Sequence, residues 1–221
     1  HEKRLVNFHL YSEDAMKVAL NQKVMQILSI VFGRNAYPYT SLTFKYGTQQ
    51  PAHKDTPHFA TWPKGMFVGV WTALEKVNED SGPLFYYPGS HRLGIDRSLF
   101  APSSLQSRIP FLQERALKRS LALYKRDVIE ACRCLPEPET FLADQGDTII
   151  WHPELIHGGS KAKNANLTRW SIVVHCAAEG LQVHQKDRFF THFDEDPPPD
   201  RYGFGAYNGQ RYALSGKTTF M

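Results

Sequence analysis

His53-Lys54-Asp55 and, far downstream, His157 are the residues of this chain whose types suit metal chemistry. On an extended strand, residues two apart point to one face. His53 and Asp55 would then present an imidazole and a carboxylate side by side, with Lys54 turned away. A third ligand must come from another strand. The candidate is His157, in Gly146-Asp147-Thr148-Ile149-Ile150-Trp151-His152-Pro153-Glu154-Leu155-Ile156-His157-Gly158-Gly159. Two imidazoles and one carboxylate on one side of a metal make the facial triad of non-heme Fe(II) chemistry, which leaves adjacent positions for a cosubstrate and O2. An HxD pair alone arises often by chance, and a single His is more often a satisfied polar residue than a ligand. The weight lies in the combination.

Arg169 extends that combination. It lies twelve residues after His157, in the expected strand Thr168–His175, whose stretch from Trp170 to Val174 is otherwise largely apolar. A buried guanidinium is costly without an anion, and a carboxylate accepting two N–H bonds is its natural partner. A dicarboxylate such as 2-oxoglutarate, chelating iron through its 2-oxo acid end, would present its far carboxylate to Arg169. The plainer alternative is a structural Asp or Glu. Ser171, two residues on and on the same strand face, could add a hydroxyl to that carboxylate.

Such residues need a scaffold that brings separate strands to one interior point. Tyr39–Tyr46 is β-branched and aromatic with rough alternation, and Met66–Leu74, Leu84–Tyr87, Thr140–Leu142, Thr148–Trp151 and Thr168–His175 also read as strands. Turn residues separate them, as in a sandwich or barrel. The expected fold is mainly β with flanking helices, a double-stranded β-helix (jelly roll, cupin-like). One domain is expected over residues 1–221, with a β core over about 39–176. Ahead of it, a Ser12 cap, acidic Glu13 and Asp14, apolar positions at helical spacing and a Gly33 stop predict one helix over about 13–32. Residues of about 94–136 break the β rhythm and read as a helical insertion. Its Arg115, Lys118, Arg119, Lys125 and Arg126 form a solvated basic face or, alternatively, a landing site for an anionic substrate group. The tail of about 187–221, with Pro197-Pro198-Pro199 and many Gly and Tyr, is expected to be irregular.

Composition narrows the partners. A net charge of +4 without an aromatic-interleaved basic stripe gives no case for nucleic-acid binding. No apolar run approaches a membrane span, and the polar, mixed residues His1–Leu10 do not read as a signal peptide. Cys132, Cys134 and Cys176 cannot all pair, and Cys132-x-Cys134 is not a standard zinc spacing. Free thiols in a reducing compartment, hence a cytoplasmic protein, are the expectation; separately, the metal-site reading carries the expectation of a small-molecule substrate.

In chain order stand His53-x-Asp55, Trp71-Thr72-Ala73-Leu74, Ser81-Gly82-Pro83-Leu84, Pro88-Gly89-Ser90-His91-Arg92, Gly146-Asp147, and His157 with Arg169. This ordered set resembles the phytanoyl-CoA dioxygenase-like branch of the Fe(II)/2-oxoglutarate oxygenases over roughly residues 39–176. The resemblance implies a jelly roll, Fe(II), 2-oxoglutarate and O2, and hydroxylation coupled to release of succinate and CO2. It implies that His53, Asp55 and His157 hold iron, that Arg169 binds the cosubstrate, and that Trp71 donates its indole N–H toward it, core packing being the alternative for Trp71. Halogenase relatives replace the carboxylate with a small residue, so Asp55 favours hydroxylation. Two departures stand out. Many relatives carry Ser or Thr two residues after the distal His, where this chain has Gly159, and relatives carry a longer region before the first strand. Gln49, Gln50, Thr43 and Lys45 are candidate pocket residues. A cupin-like metalloenzyme that does not use 2-oxoglutarate is the competing reading, and a non-catalytic barrel is the third.

Overall fold

The computed structural model describes residues 4–56, 58–95, 97–100, 110–185 and 203–214. Five strands form the larger sheet in the order β1 (Arg4–Val6), β2 (Ala36–Phe44), β9 (Ser171–Ala178), β4 (Phe67–Ala73) and β7 (Thr148–Trp151). A three-stranded sheet runs β6 (Glu139–Phe141), β5 (Leu84–Tyr86), β8 (His157–Gly159). β3 (Phe59–Trp62) pairs with β10 (Gln182–Gln185), and β11 (Gly203–Tyr207) with β12 (Gln210–Leu214). The pairings are antiparallel.

The two main sheets meet face to face. Phe44, Trp71 and Val173 of the larger sheet pack with Leu84 and Phe141 of the smaller one. The fold is the expected jelly roll. β9 is buried along its whole length because both its faces are covered. Its Ile172, Val174, Cys176 and Ala178 join Val68 and Val70 against the helical layer, whose buried side chains are Met16, Leu20, Met25, Leu28 and Phe32. The odd-numbered residues Ser171, Val173 and His175 therefore turn the other way, into the sandwich.

The single helix expected over 13–32 is two, α1 (Glu13–Ala19) and α2 (Gln22–Phe32). Asn21 breaks it: its side-chain oxygen accepts from the Val24 backbone N–H at 3.2 Å and starts a second helix. Gly33 ends α2 at φ 66° as expected. The insertion is helical over α3 (Pro110–Cys132); residues 96 and 101–109 of it lie outside the described residues. Leu117, Leu121, Tyr124 and Val128 of α3 pack with Phe100, Ile156 and Ala52. Its basic face is exposed and partly neutralised within the helix, by Lys118–Glu114 at 2.8 Å and Arg126–Asp127 at 3.3 Å. That is the solvated-face reading.

The tail differs from expectation where it is described. β11 and β12 form a tight hairpin, with Asn208 at φ 49° and Gly209 at φ 77° in its turn. Asn-Gly is a strong hairpin signal, because both central residues of this turn need positive φ. Residues 186–202 and 215–221 of the tail lie outside the described residues. No described helix is long and apolar enough to cross a membrane.

A buried polar clasp ties β1 and the following turn to β2. The Asn7 side-chain oxygen accepts from Thr40 Oγ1 at 2.9 Å and from the Ser41 N–H at 3.0 Å, and His9 Nδ1 lies 2.6 Å from Ser41 Oγ. Burial lowers the His9 pKa from 6.5 to about 4. The unfolded chain therefore binds a proton that the folded one refuses, so this contribution is fully present above pH 6.5 and is lost as pH falls toward 4. Thermal unfolding followed from pH 7 to pH 5 should show the native protein losing on the order of 2 kcal/mol more than a His9→Gln variant. Parallel curves for the two would show that His9 is not coupled to folding.

Candidate metal centre

The HxD segment is not a strand. His53 makes one isolated bridge, and its partner is His157. The His53 N–H donates to the His157 carbonyl at 2.9 Å, and the His157 N–H donates back to the His53 carbonyl at 3.0 Å. Two residues on, the Asp55 N–H donates to the Pro153 carbonyl at 3.0 Å. The two candidate histidines thus face each other across a backbone pair, with ring centroids 4.4 Å apart.

Their hydrogen bonds set which nitrogen is free. Nδ1 of His53 lies 2.9 Å from the Pro51 carbonyl, and Nδ1 of His157 lies 2.9 Å from the Leu155 carbonyl. A carbonyl can only accept, so Nδ1 carries the proton and Nε2 keeps its lone pair. Both Nε2 atoms turn to Asp55 Oδ1, at 3.9 Å from His53 and 3.7 Å from His157. One ligand atom from each of His53, Asp55 and His157 lies within 4.8 Å of the others. Burial lowers the His53 pKa to about 3, and His157 adds to that, so His53 is neutral at neutral pH. Burial would raise the pKa of Asp55, but His157, His175 and His53 outweigh it and hold the carboxyl below the usual carboxylate range. A neutral His53 imidazole beside an ionised Asp55 carboxylate suits the binding of a divalent cation.

Lys54 does point away from this cluster, yet it is buried. Its ammonium donates to the Leu93 carbonyl at 2.8 Å and to Glu154 Oε2 at 3.0 Å. It therefore ties the segment between the two HxD ligands to the loop that leads into His157.

Arg169 lies just before β9 rather than within it. Its position is nonetheless over-determined. Its own N–H donates to the Lys45 carbonyl at 2.8 Å, and Glu75 holds both neighbours, accepting from Thr168 Oγ1 at 3.0 Å and from the Trp170 N–H at 2.7 Å. The side chain is 2% exposed. Nη1 donates to the Gly82 carbonyl at 3.1 Å, and the guanidinium sits 5.6 Å above the Trp71 ring. Arg169 and Trp71 line one cavity together with His53, Asp55 and His157. Ser171 is fully buried on β9 but is not among the residues that line this cavity, and its hydroxyl has no hydrogen-bond partner among the described residues.

Of the candidate pocket residues, Gln50 lines this cavity, whereas Thr43, Lys45 and Gln49 line a separate groove. The strand period explains the difference, since Leu42 and Phe44 take the inward positions on β2. The space beside Gly158 and Gly159 is not open. A Cβ on Gly158 would lie 2.7 Å from the Gln50 carbonyl oxygen, and one on Gly159 would lie 2.6 Å from Thr48 Oγ1. The Thr48 hydroxyl thus stands where a side chain at position 159 would be, and Thr48 lines the cavity.

Three contributors escape a reading of the sequence: Thr48, Trp151 and His175. Trp151 Nε1 donates to Asp55 Oδ2 at 2.8 Å, and His175 Nε2 lies 3.5 Å from the same oxygen. For His175 a signal existed, since it shares the face of Ser171 four residues on. For Trp151, an aromatic in an apolar strand, there was none beyond core packing.

The sequence matches the family described as Phytanoyl-CoA dioxygenase (PhyH) over residues 2–170. It is 34% identical over 159 residues to phytanoyl-CoA dioxygenase domain-containing protein 1 of Mus musculus, covering 71% of this chain and 49% of that protein. It is 24% identical over 139 residues to the peroxisomal phytanoyl-CoA dioxygenase of Homo sapiens, covering 61% and 35%. The chain spans about half the length, or less, of these relatives. Among solved structures, the non-heme α-ketoglutarate-dependent carbocyclase SnoK superposes with a TM-score of 0.62 at 15% identity, covering 84% of this chain and 66% of that one. The α-ketoglutarate-dependent epimerase SnoN gives 0.60 at 15%, covering 97% and 77%. EctD from S. alaskensis with bound Fe gives 0.56 at 15%, covering 84% and 60%. The ordered motifs, the jelly roll and the family match over most of the chain agree: this chain belongs to the phytanoyl-CoA dioxygenase family.

Proposed function

We propose that this chain is an Fe(II)- and 2-oxoglutarate-dependent dioxygenase that hydroxylates a small molecule. The observation that supports it best is the joint placement of a buried two-imidazole, one-carboxylate cluster and a buried guanidinium on one cavity. The donor set fits Fe(II), which favours imidazole and carboxylate. With iron, 2-oxoglutarate and O2 bound, one oxygen atom enters a substrate C–H bond while the keto acid becomes succinate and CO2.

The chain's own residues then have distinct tasks. His53 and His157 give Nε2 lone pairs, and Asp55 gives Oδ1. Arg169 takes the far carboxylate of the keto acid in a site that excludes water, where a charge-assisted bond is strong. Thr48 supplies a hydroxyl donor to that carboxylate, in place of the side chain that Gly159 lacks. Trp71 underlies the guanidinium and turns its indole toward the same guest. The curated and structural relatives include a carbocyclase and an epimerase as well as dioxygenases. Hydroxylation is preferred for this chain because Asp55 fills the carboxylate position and the family match is to dioxygenases.

Anaerobic addition of 2-oxoglutarate to the Fe(II)-loaded protein should produce a weak visible charge-transfer band, absent from His157→Ala. No band in the unmodified protein would rule the keto-acid reading out. Arg169→Ala should keep metal binding and weaken 2-oxoglutarate binding roughly 10- to 100-fold, the worth of one or two charge-assisted hydrogen bonds. Unchanged 2-oxoglutarate affinity would favour a cupin-like metalloenzyme that does not use the keto acid. Succinate release across a substrate panel, with products heavier by one oxygen, would identify the substrate.

A further inference from the structure

Asp55 has two oxygens, and the cavity treats them differently. Oδ1 faces the two Nε2 atoms at 3.7 and 3.9 Å. Oδ2 faces Trp151 Nε1 at 2.8 Å and His175 Nε2 at 3.5 Å. An indole N–H only donates and can never be a metal ligand. The bond therefore occupies Oδ2 with a group that cannot itself take a metal.

Trp151 reaches Asp55 through a gap left by one residue. Gly69 on β4 is the register partner of Trp151 on β7 and of His175 on β9. The two side chains that touch Oδ2 thus flank one glycine on the inner face of the sheet. A Cβ on Gly69 would lie 2.5 Å from Trp151 Nε1 and 2.6 Å from Cζ2, closer than real Cβ contacts allow. Only glycine lets the indole lie across β4 with its N–H on the carboxylate. The same ring packs on His157, with centroids 4.6 Å apart.

We propose that Trp151, seated on Gly69, is a positioning residue that keeps Asp55 a one-oxygen ligand. This rests on the metal site proposed above. A carboxylate with both oxygens free can chelate a metal through both and close one of the positions that a facial triad leaves for cosubstrate and O2. Holding Oδ2 in a hydrogen bond prevents that and aligns Oδ1 before the metal arrives, as outer partners of metal ligands commonly do.

Co(II) alone is a suitable probe, read by calorimetry for affinity and by visible absorption for coordination. Trp151→Phe keeps the ring and removes the donor. It should weaken Co(II) binding roughly 10- to 100-fold and change the Co(II) spectrum in the direction of higher coordination number. Gly69→Ala, which displaces the indole, should do the same. Trp170→Phe, at a half-exposed tryptophan outside the cavity, should change neither. Wild-type affinity and spectrum in Trp151→Phe would overturn the proposal. If that variant does not fold, Gly69→Ala decides by the same two readouts. If the unmodified protein binds no Co(II), or binds it equally well as His157→Ala, the metal site itself is wrong and this role falls with it. Binding that depends on His157 but not on Trp151 refutes the positioning role alone.

Discussion

The reciprocal backbone pair between His53 and His157 is the constraint on which the centre depends. Two hydrogen bonds of 2.9 and 3.0 Å join residues more than a hundred positions apart and set both imidazoles on one side. The pair extends no further as a ladder, because the chain next to it serves other ends. Asp55 binds Pro153 through its backbone, and Lys54 binds Glu154 and Leu93 through its side chain. The contacts to Pro153 and Glu154 join the HxD segment to the loop before His157, and the one to Leu93 joins it to the turn after β5. The loop and the segment are irregular, yet they are held as firmly as strands, because their buried polar groups find partners in one another.

Burial of this polar cluster has an electrostatic logic. A carboxylate that is 7% exposed would be expelled from an apolar interior unless donors and cations surround it. Here the Trp151 indole N–H donates to one oxygen, and the other faces two imidazole Nε2 atoms across a gap of 3.7 and 3.9 Å that a cation would fill. Backbone carbonyls in turn decide the imidazole tautomers. The protein thus spends its hydrogen bonds on orienting lone pairs inward, which is useful only if something positive is to sit among them. The same reasoning applies to the buried guanidinium of Arg169, which favours something negative a short way along the same cavity.

The sandwich supplies the dryness and the close approaches. One face of the larger sheet is covered by α1 and α2, the other by the smaller sheet, so β9 can carry Ser171, Val173 and His175 inward with little access for water. Small residues then admit side chains from elsewhere. Gly69 admits the Trp151 ring, and Gly159 admits the Thr48 hydroxyl. Glycines in such strands are read as places where another group comes close.

Residue types and their order were enough to reveal the jelly roll, the three metal-binding candidates and the arginine, because strand periodicity and ligand chemistry are local properties. Local chemistry also held signals that a coarse reading passes over: the Asn21 cap that splits the first helix, and the Asn208-Gly209 turn that makes a hairpin of the tail. What the chain order could not contain is which face of which strand meets which loop. Thr43 and Lys45 lie one position from inward-facing residues and end in a different groove. Trp151 became a carboxylate partner, and Thr48 a stand-in for a missing side chain, only because backbone pairings between distant segments brought them there. Strand register and loop packing arise from contacts summed over the whole sandwich, and no short window of residues carries that sum.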